Sequence, residues 1–172
     1  MWSFADSRFH GRMNKNVLIL TAALGSAVNG GVFFAFSSFV MPALHRLPPP
    51  AAIAAMQSIN VTAQRPAFMT ALFGTAALTL ATGVVGLRQW HTAAGKLLVL
   101  GSAAYLVGII GLTIVYHVPL NNGLVGVDPS GPDPARTWSE YASGWTALNH
   151  VRAAAGAAGA GLLVAAAALG PR

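Results

Sequence analysis

The chain has no cysteine, and only 8% of its 172 residues are Asp, Glu, Lys or Arg. The first absence excludes disulfides, thiolate catalysis and Cys-based metal sites outright. The second excludes an ordinary soluble domain, where roughly 25% of residues are charged. Acids are the scarcer sign, four against ten bases, for a formal net charge of +6. No basic run accompanies that surplus, so nucleic acid is not an expected partner. The bases instead flank apolar stretches, the pattern of membrane topology and of contact with anionic headgroups. An internal repeat is also missing, which argues against an inverted-repeat transporter.

What the sequence does have is four long uncharged stretches: between Lys15 and His45, then Pro66–Leu87, Leu97–Tyr116 and Ala153–Pro171. Each is about 20 residues or longer, which at ~1.5 Å per residue matches the ~30 Å hydrocarbon core of a bilayer. A charge at the centre of such a span costs at least roughly 2.5 kcal/mol, so four clean gaps are not accidental. The expected fold is all-α, an integral membrane four-helix bundle with two long, partly helical loops on one side. Spans are expected at about 17–41, 66–87, 97–116 and 150–169, with a polar cap of 42–65 and 117–149, in a single membrane domain over 1–172. The first apolar segment is too long for a cleaved signal sequence and reads as a retained span. Trp2, Phe4 and Phe9 read as interfacial anchors of the leader.

Counting Lys and Arg sets the orientation. Arg8, Arg12, Lys15, Arg88, Lys96 and Arg172 fall on one side, and Arg46, Arg65, Arg136 and Arg152 on the other. The positive-inside rule then makes both termini cytoplasmic and puts the two long loops outside a plasma membrane. Those loops hold nearly every residue capable of chemistry, and loops of such length are usually functional or structured. Pro48-Pro49-Pro50 predicts a short helix through Ala51–Asn60 with Gln57, Asn60 and Gln64 on one polar stripe. Asp133 is an expected N-cap with Pro134 at the first helical position. Beyond it Trp138, Tyr141, Trp145, Asn149 and Arg152 recur every three or four residues, so an aromatic stripe runs into an Asn and an Arg. His150 points about 160° away from Arg152 on such a helix. Gly156, Gly159 and Gly161 predict close backbone packing of the fourth span, against Gly108 and Gly111 or Gly25, Gly30 and Gly31. Asn29, inside the first span, is expected to bond across to a neighbouring helix.

Four blocks carry a resemblance: Gly31–Leu44 (GVFFAFSSFVMPAL), Met56–Asn60 (MQSIN), Val118–Asn121 (VPLN) and Trp145–Arg152 (WTALNHVR). In order and spacing the chain resembles the anthrone oxygenase family of small four-span membrane proteins. It departs at His117, where the family usually has Asn. The resemblance implies an oxidoreductase, a monooxygenase that converts an anthrone-like aromatic methylene to a quinone with O2, using no metal or organic cofactor. The implied partners are the bilayer, a small lipophilic aromatic substrate and O2. It also makes His150 the family-typical base candidate.

Such a reaction needs a base, donors for an enolate oxygen and a dry flat pocket. Asn149, Asn121 and Arg152 are the candidate donors. Phe33, Phe36, Trp138 and Trp145 are candidate walls, and Gln57 and Asn60 candidate substrate contacts. His117 can act as a second base or replace the lost Asn donor. Each residue also has a plainer reading: Arg152 as a headgroup anchor or partner of Glu140, Asn121 as a turn former, Trp138 and Trp145 as interface-belt aromatics. Two other functions stay open. One is a metal centre on His45, His117 and His150. The other is a non-catalytic protein that binds a quinone or similar lipophile, or serves as a small membrane partner. Oligomeric state is not readable.

Overall fold

A computed structural model describes the backbone over 3–170 and side chains over 15–170; Trp2, Phe4, Phe9 and Arg172 lie outside the described side chains. All described elements are helical: α1 (Ser3–Ala35), α2 (Met41–Leu44), α3 (Pro49–Ala63), α4 (Pro66–Arg88), α5 (Ala93–Tyr105), α6 (Val118–Val125) and α7 (Pro134–Leu169). Three π-helical segments join them, Phe36–Val40 between α1 and α2, then Leu106–Gly111 and Thr113–His117 between α5 and α6. The continuous rods Lys15–Leu44, Pro66–Arg88, Ala93–Val125 and Pro134–Leu169 are each long and apolar enough to cross a membrane. This is the expected four-helix membrane bundle.

The sequence signals act locally as chemistry requires. The Asp133 carboxylate accepts the Arg136 N–H at 3.1 Å, and the Thr92 hydroxyl oxygen accepts the Gly95 N–H at 2.9 Å, each satisfying a free helix-end donor. α3 starts at Pro49, where the missing N–H costs nothing. The fourth rod differs from expectation: α7 runs unbroken for 36 residues. No proline interrupts it after Pro134, so the cap helix and the span are one element. At ~1.5 Å per residue it is about 54 Å long, some 24 Å more than the hydrocarbon core, and that excess is the cap.

α1, α4, α5 and α7 stand in that order around the bundle, each antiparallel to both neighbours. Up-down-up-down topology places α2, α3, α6 and the start of α7 at one end, where Met41, Leu44, Ile53, Met56, Leu124, Trp138, Tyr141 and Trp145 form a common core. At the other end only Gln89–Thr92 links α4 to α5. The half nearest that link is held by small residues. A Cβ on Gly156 would lie 2.5 Å from the Gly30 Cα, and one on Gly159 would lie 3.1 Å from the Gly101 carbonyl oxygen. Gly161 and Gly31 face open space instead, so only some of the expected glycines pack helices. Polarity is reversed relative to a soluble bundle. α4 buries Thr75, Thr79 and Thr82 and exposes Phe73, Leu80 and Val84. Asn29 bonds across to α4 as expected, donating to Ala71 O at 3.2 Å and Thr75 Oγ1 at 3.4 Å.

In the capped half prolines reshape two of the rods. Pro42 and Pro119 each lack an N–H and crowd the carbonyl four residues back. The residue before each reaches back five residues instead, Met41 N–H to Phe36 O and Val118 N–H to Thr113 O. The extra residue per turn widens the helix, as π-bulges near functional sites often do. These two widened turns present Ser37, Thr113 and His117 to α7.

Candidate functional site

At the base of the cap α7 turns Arg152 inward, where it is 4% exposed. Its guanidinium lies 4.2 Å from the Phe33 ring centroid and 5.3 Å from that of Trp145. One Nη donates to Asn149 Oδ1 at 2.7 Å and the other to Thr113 Oγ1 at 3.3 Å. The Nε–H is buried and has no partner. No carboxylate of the described residues neutralises it: Glu140, the partner considered for it, pairs with Arg136 at 2.7 Å on the cap surface.

Asn149 is one turn above, fully buried, and holds the arginine in place. Its Nδ2 donates to Phe33 O at 2.7 Å and to Ser37 Oγ at 2.6 Å, tying α7 to the widened end of α1. Both amide hydrogens are therefore engaged within the bundle. Asn121 likewise serves through its oxygen, which accepts from the Tyr141 hydroxyl at 2.9 Å and the Trp145 indole at 3.1 Å. It fixes two rings at once.

α3 supplies the second free donor. Asn60 is 6% exposed, its side chain lies beside the Tyr141 hydroxyl, and its Nδ2 has no partner. Tyr141 and Trp145 share the Asn121 oxygen, and Trp145 flanks Arg152, so α7 sets Asn60 and Tyr141 in the layer above the arginine. Gln57, one turn earlier on α3, donates to Leu124 O and Val127 O at 2.9 Å each. It latches α3 onto the end of α6 and is not free for a substrate, contrary to expectation.

The aromatic expectations divide by level. Phe33 and Trp145 flank the arginine, and Phe36 meets Trp145 at 5.7 Å between centroids. Trp138 sits in the layer above, stacked on Tyr141 at 6.0 Å and donating to His45 Nδ1 at 3.2 Å. His117 is buried with its ring edge-on to Trp145 at 5.5 Å. Its two nitrogens face Leu112 O at 3.2 Å and Trp145 O at 3.4 Å. A neutral imidazole has one N–H, so only one of the two carbonyls is hydrogen-bonded at a time and the other nitrogen keeps its lone pair.

His150 lies apart from this cluster. It is exposed and belongs to an open groove of about 580 Å³ between α1 and α7, lined by Gly30, Gly31, Phe34 and alanines of α7. The reason is helical geometry: two residues from Arg152, it faces outward when Arg152 faces in. The three histidines likewise do not assemble, and no group of three His, Asp or Glu among the described residues can share a metal ion. Ser37, Thr113 and Tyr141 join the cluster without having been singled out. Tyr141 was visible on the α7 stripe, whereas Ser37 and Thr113 carry no signal beyond preceding Pro42 and Pro119.

This arrangement is an unneutralised buried cation with two unpartnered N–H donors, walled by aromatic rings. Burying an unpaired charge costs several kcal/mol. The rings and the bonds to Asn149 and Thr113 offset that cost, and the unpartnered Nε–H is where an anionic oxygen can add to them. A family model described as anthrone oxygenase matches residues 65–162, more than half of the chain and including Val118–Asn121 and Trp145–Arg152. No curated protein and no solved structure matches the chain.

Proposed function

Because the chain belongs to the anthrone oxygenase family, we propose that it oxidises the activated methylene of an anthrone-like aromatic to a quinone carbonyl, at the Arg152–Asn60 cluster. The observation that carries this reading is the pair of dry, unpartnered donors, Arg152 Nε–H and Asn60 Nδ2–H. Loss of a methylene proton moves negative charge onto the carbonyl oxygen of an anthrone. Donors fixed in place before that charge develops stabilise it without reorganisation. A unit charge about 4 Å from the guanidinium gains about 4 kcal/mol at an effective dielectric of 20, roughly three decades in an equilibrium constant.

The contribution of the cluster is to acidify the substrate, and the proton passes to water at the cap mouth while α3 is lifted. The carbanion carbon of the enolate then bonds to O2, and the resulting peroxide loses water. Overall CH2 and O2 become C=O and H2O. Phe33, Phe36 and Trp145 supply flat apolar surface for the rings. Asn149, Asn121 and His117 are positioning residues. Arg152 Nε and Asn60 Nδ2 are both closed off from solvent, so a substrate reaches them when α3 lifts from its Gln57 latch. The charge count supports a plasma-membrane orientation with cytoplasmic termini and the cap outside.

Oxygen uptake by the purified protein with a panel of anthrones tests this. Wild type is expected to exceed background, and Arg152→Met to lose about 10²–10³-fold in kcat/KM. Wild-type turnover in a folded Arg152→Met protein would overturn the site. Uptake at background with every anthrone would overturn the reaction.

A further inference from the structure

Two side-chain bonds fasten the α3 arm of the cap, and they differ in chemistry. Gln57 ties α3 to the end of α6 through an amide, which does not titrate. The other bond runs from the Trp138 indole N–H to His45 Nδ1 at 3.2 Å. Trp138 is 3% exposed, whereas His45 lies open to solvent. His45 closes the last turn of α2, and only Arg46, Leu47 and Pro48 separate it from the start of α3. The bond therefore pins the N-terminal hinge of α3 to α7. A ring nitrogen that accepts a hydrogen bond carries no proton, so the indole holds His45 as the neutral imidazole with its hydrogen on Nε2.

We infer that this bond is a proton-operated latch: protonation of His45 frees the 45–48 connector from Trp138 and lets α3 lift from the cap. Imidazole is the side chain that ordinarily changes charge between pH 5 and 8. Once Nδ1 carries a proton, two N–H groups face each other, so the ring swings away and the buried indole loses its acceptor. A buried donor left without a partner favours the movement that brings it water. The connector is the part that moves, because Trp138 belongs to a continuous 36-residue helix and is stacked on Tyr141. The surroundings leave the switch to this one pair. Phe36–Val40, α2, α3 and α6 contain no ionisable side chain. Arg46 adjoins His45, and α7 brings Asp133, Arg136 and Glu140, the first capping its helix and the other two paired. His117 lies a layer lower, against Trp145. The bond exists while His45 is neutral and is lost as the pH falls, so acid opens the cap. That the opening admits substrate rests on the proposed oxidation, whereas the movement itself does not.

The test uses purified full-length protein, which has no cysteine of its own. Spin labels are attached through Ser58→Cys on α3 and Ser143→Cys on α7, both exposed positions. Pulsed dipolar spectroscopy then reads the separation of the labels at pH 8 and at pH 5. A second, longer separation is expected to grow as the pH falls. Its ratio to the seated population rises by up to about tenfold per pH unit, the limit for one proton. His45→Asn, whose amide oxygen accepts at every pH, is expected to keep the short separation throughout. His45→Leu, which offers no acceptor, is expected to show the longer one at both pH values. The same distance distribution at pH 8 and pH 5 with His45 in place would overturn the inference. So would a His45→Asn protein that still responds to acid, which would pass the proton to another group such as His117. A protein whose labels separate in acid but which consumes no oxygen with anthrones would keep the latch and discard the oxidation.

Discussion

Removing the Arg152 charge relieves a desolvation cost of several kcal/mol, but it forfeits ring contacts worth about 2 kcal/mol each at most and leaves the buried Asn149 Oδ1 without a partner. Arg152→Met is therefore expected to melt within a few degrees of the wild-type temperature while losing turnover. A Tm several degrees lower would mean that the arginine holds the cap together. His150→Ala should leave oxygen uptake within twofold of wild type, because the ring lies outside the bundle; a tenfold loss would return the base to that residue. The spacing of Trp145, Asn149 and Arg152 made their shared face readable, since one helix carries all three. Opposite placement of His150 followed from the same arithmetic, whereas its catalytic role came from family resemblance. The partners Ser37, Thr113 and Asn60 arrive from other helices, and a single sequence does not encode which turns will meet. Nor does it reveal that the Asn149 hydrogens are spent, since that depends on a carbonyl 116 positions away in sequence.

Among elements, glycine spacing divided into contacts and idle positions only once helix orientations were known. Gly156→Ala places a methyl against the Gly30 backbone and is expected to cost about 1–3 kcal/mol, read as a lower Tm. Gly161→Ala meets nothing within 4 Å and is expected to be neutral or to stabilise by up to about 1 kcal/mol. Equal Tm values for the two variants would remove the α1–α7 backbone contact. Helix existence was legible from uncharged length, and helix starts from Asp133 and the Pro48–Pro50 run. The π turns were not legible. Pro42 and Pro119 signal that a hydrogen bond is lost, but whether the helix kinks, ends or widens depends on what the next turn packs against. Here widening keeps the rod continuous and delivers three polar residues to α7.

At the scale of the whole molecule, alternating helix directions put α3, α6 and the start of α7 on one side of the membrane. The cysteine-free chain allows a direct check of which side. Ser58→Cys and Ser130→Cys are expected to react with an impermeant thiol reagent applied to intact cells. His91→Cys should react only after permeabilisation, and the reverse pattern would invert the topology. The bundle and its polar end were readable because lipid imposes length and charge rules on every residue. Its interior was less so, because threonines and an unpaired arginine face inward against those rules. The touching backbones at Gly30 and Gly156 then act as a fulcrum. Any outward swing of the upper α1 against α7 is a rotation about that level, so the gap it opens is widest beside the cap and vanishes at the glycines.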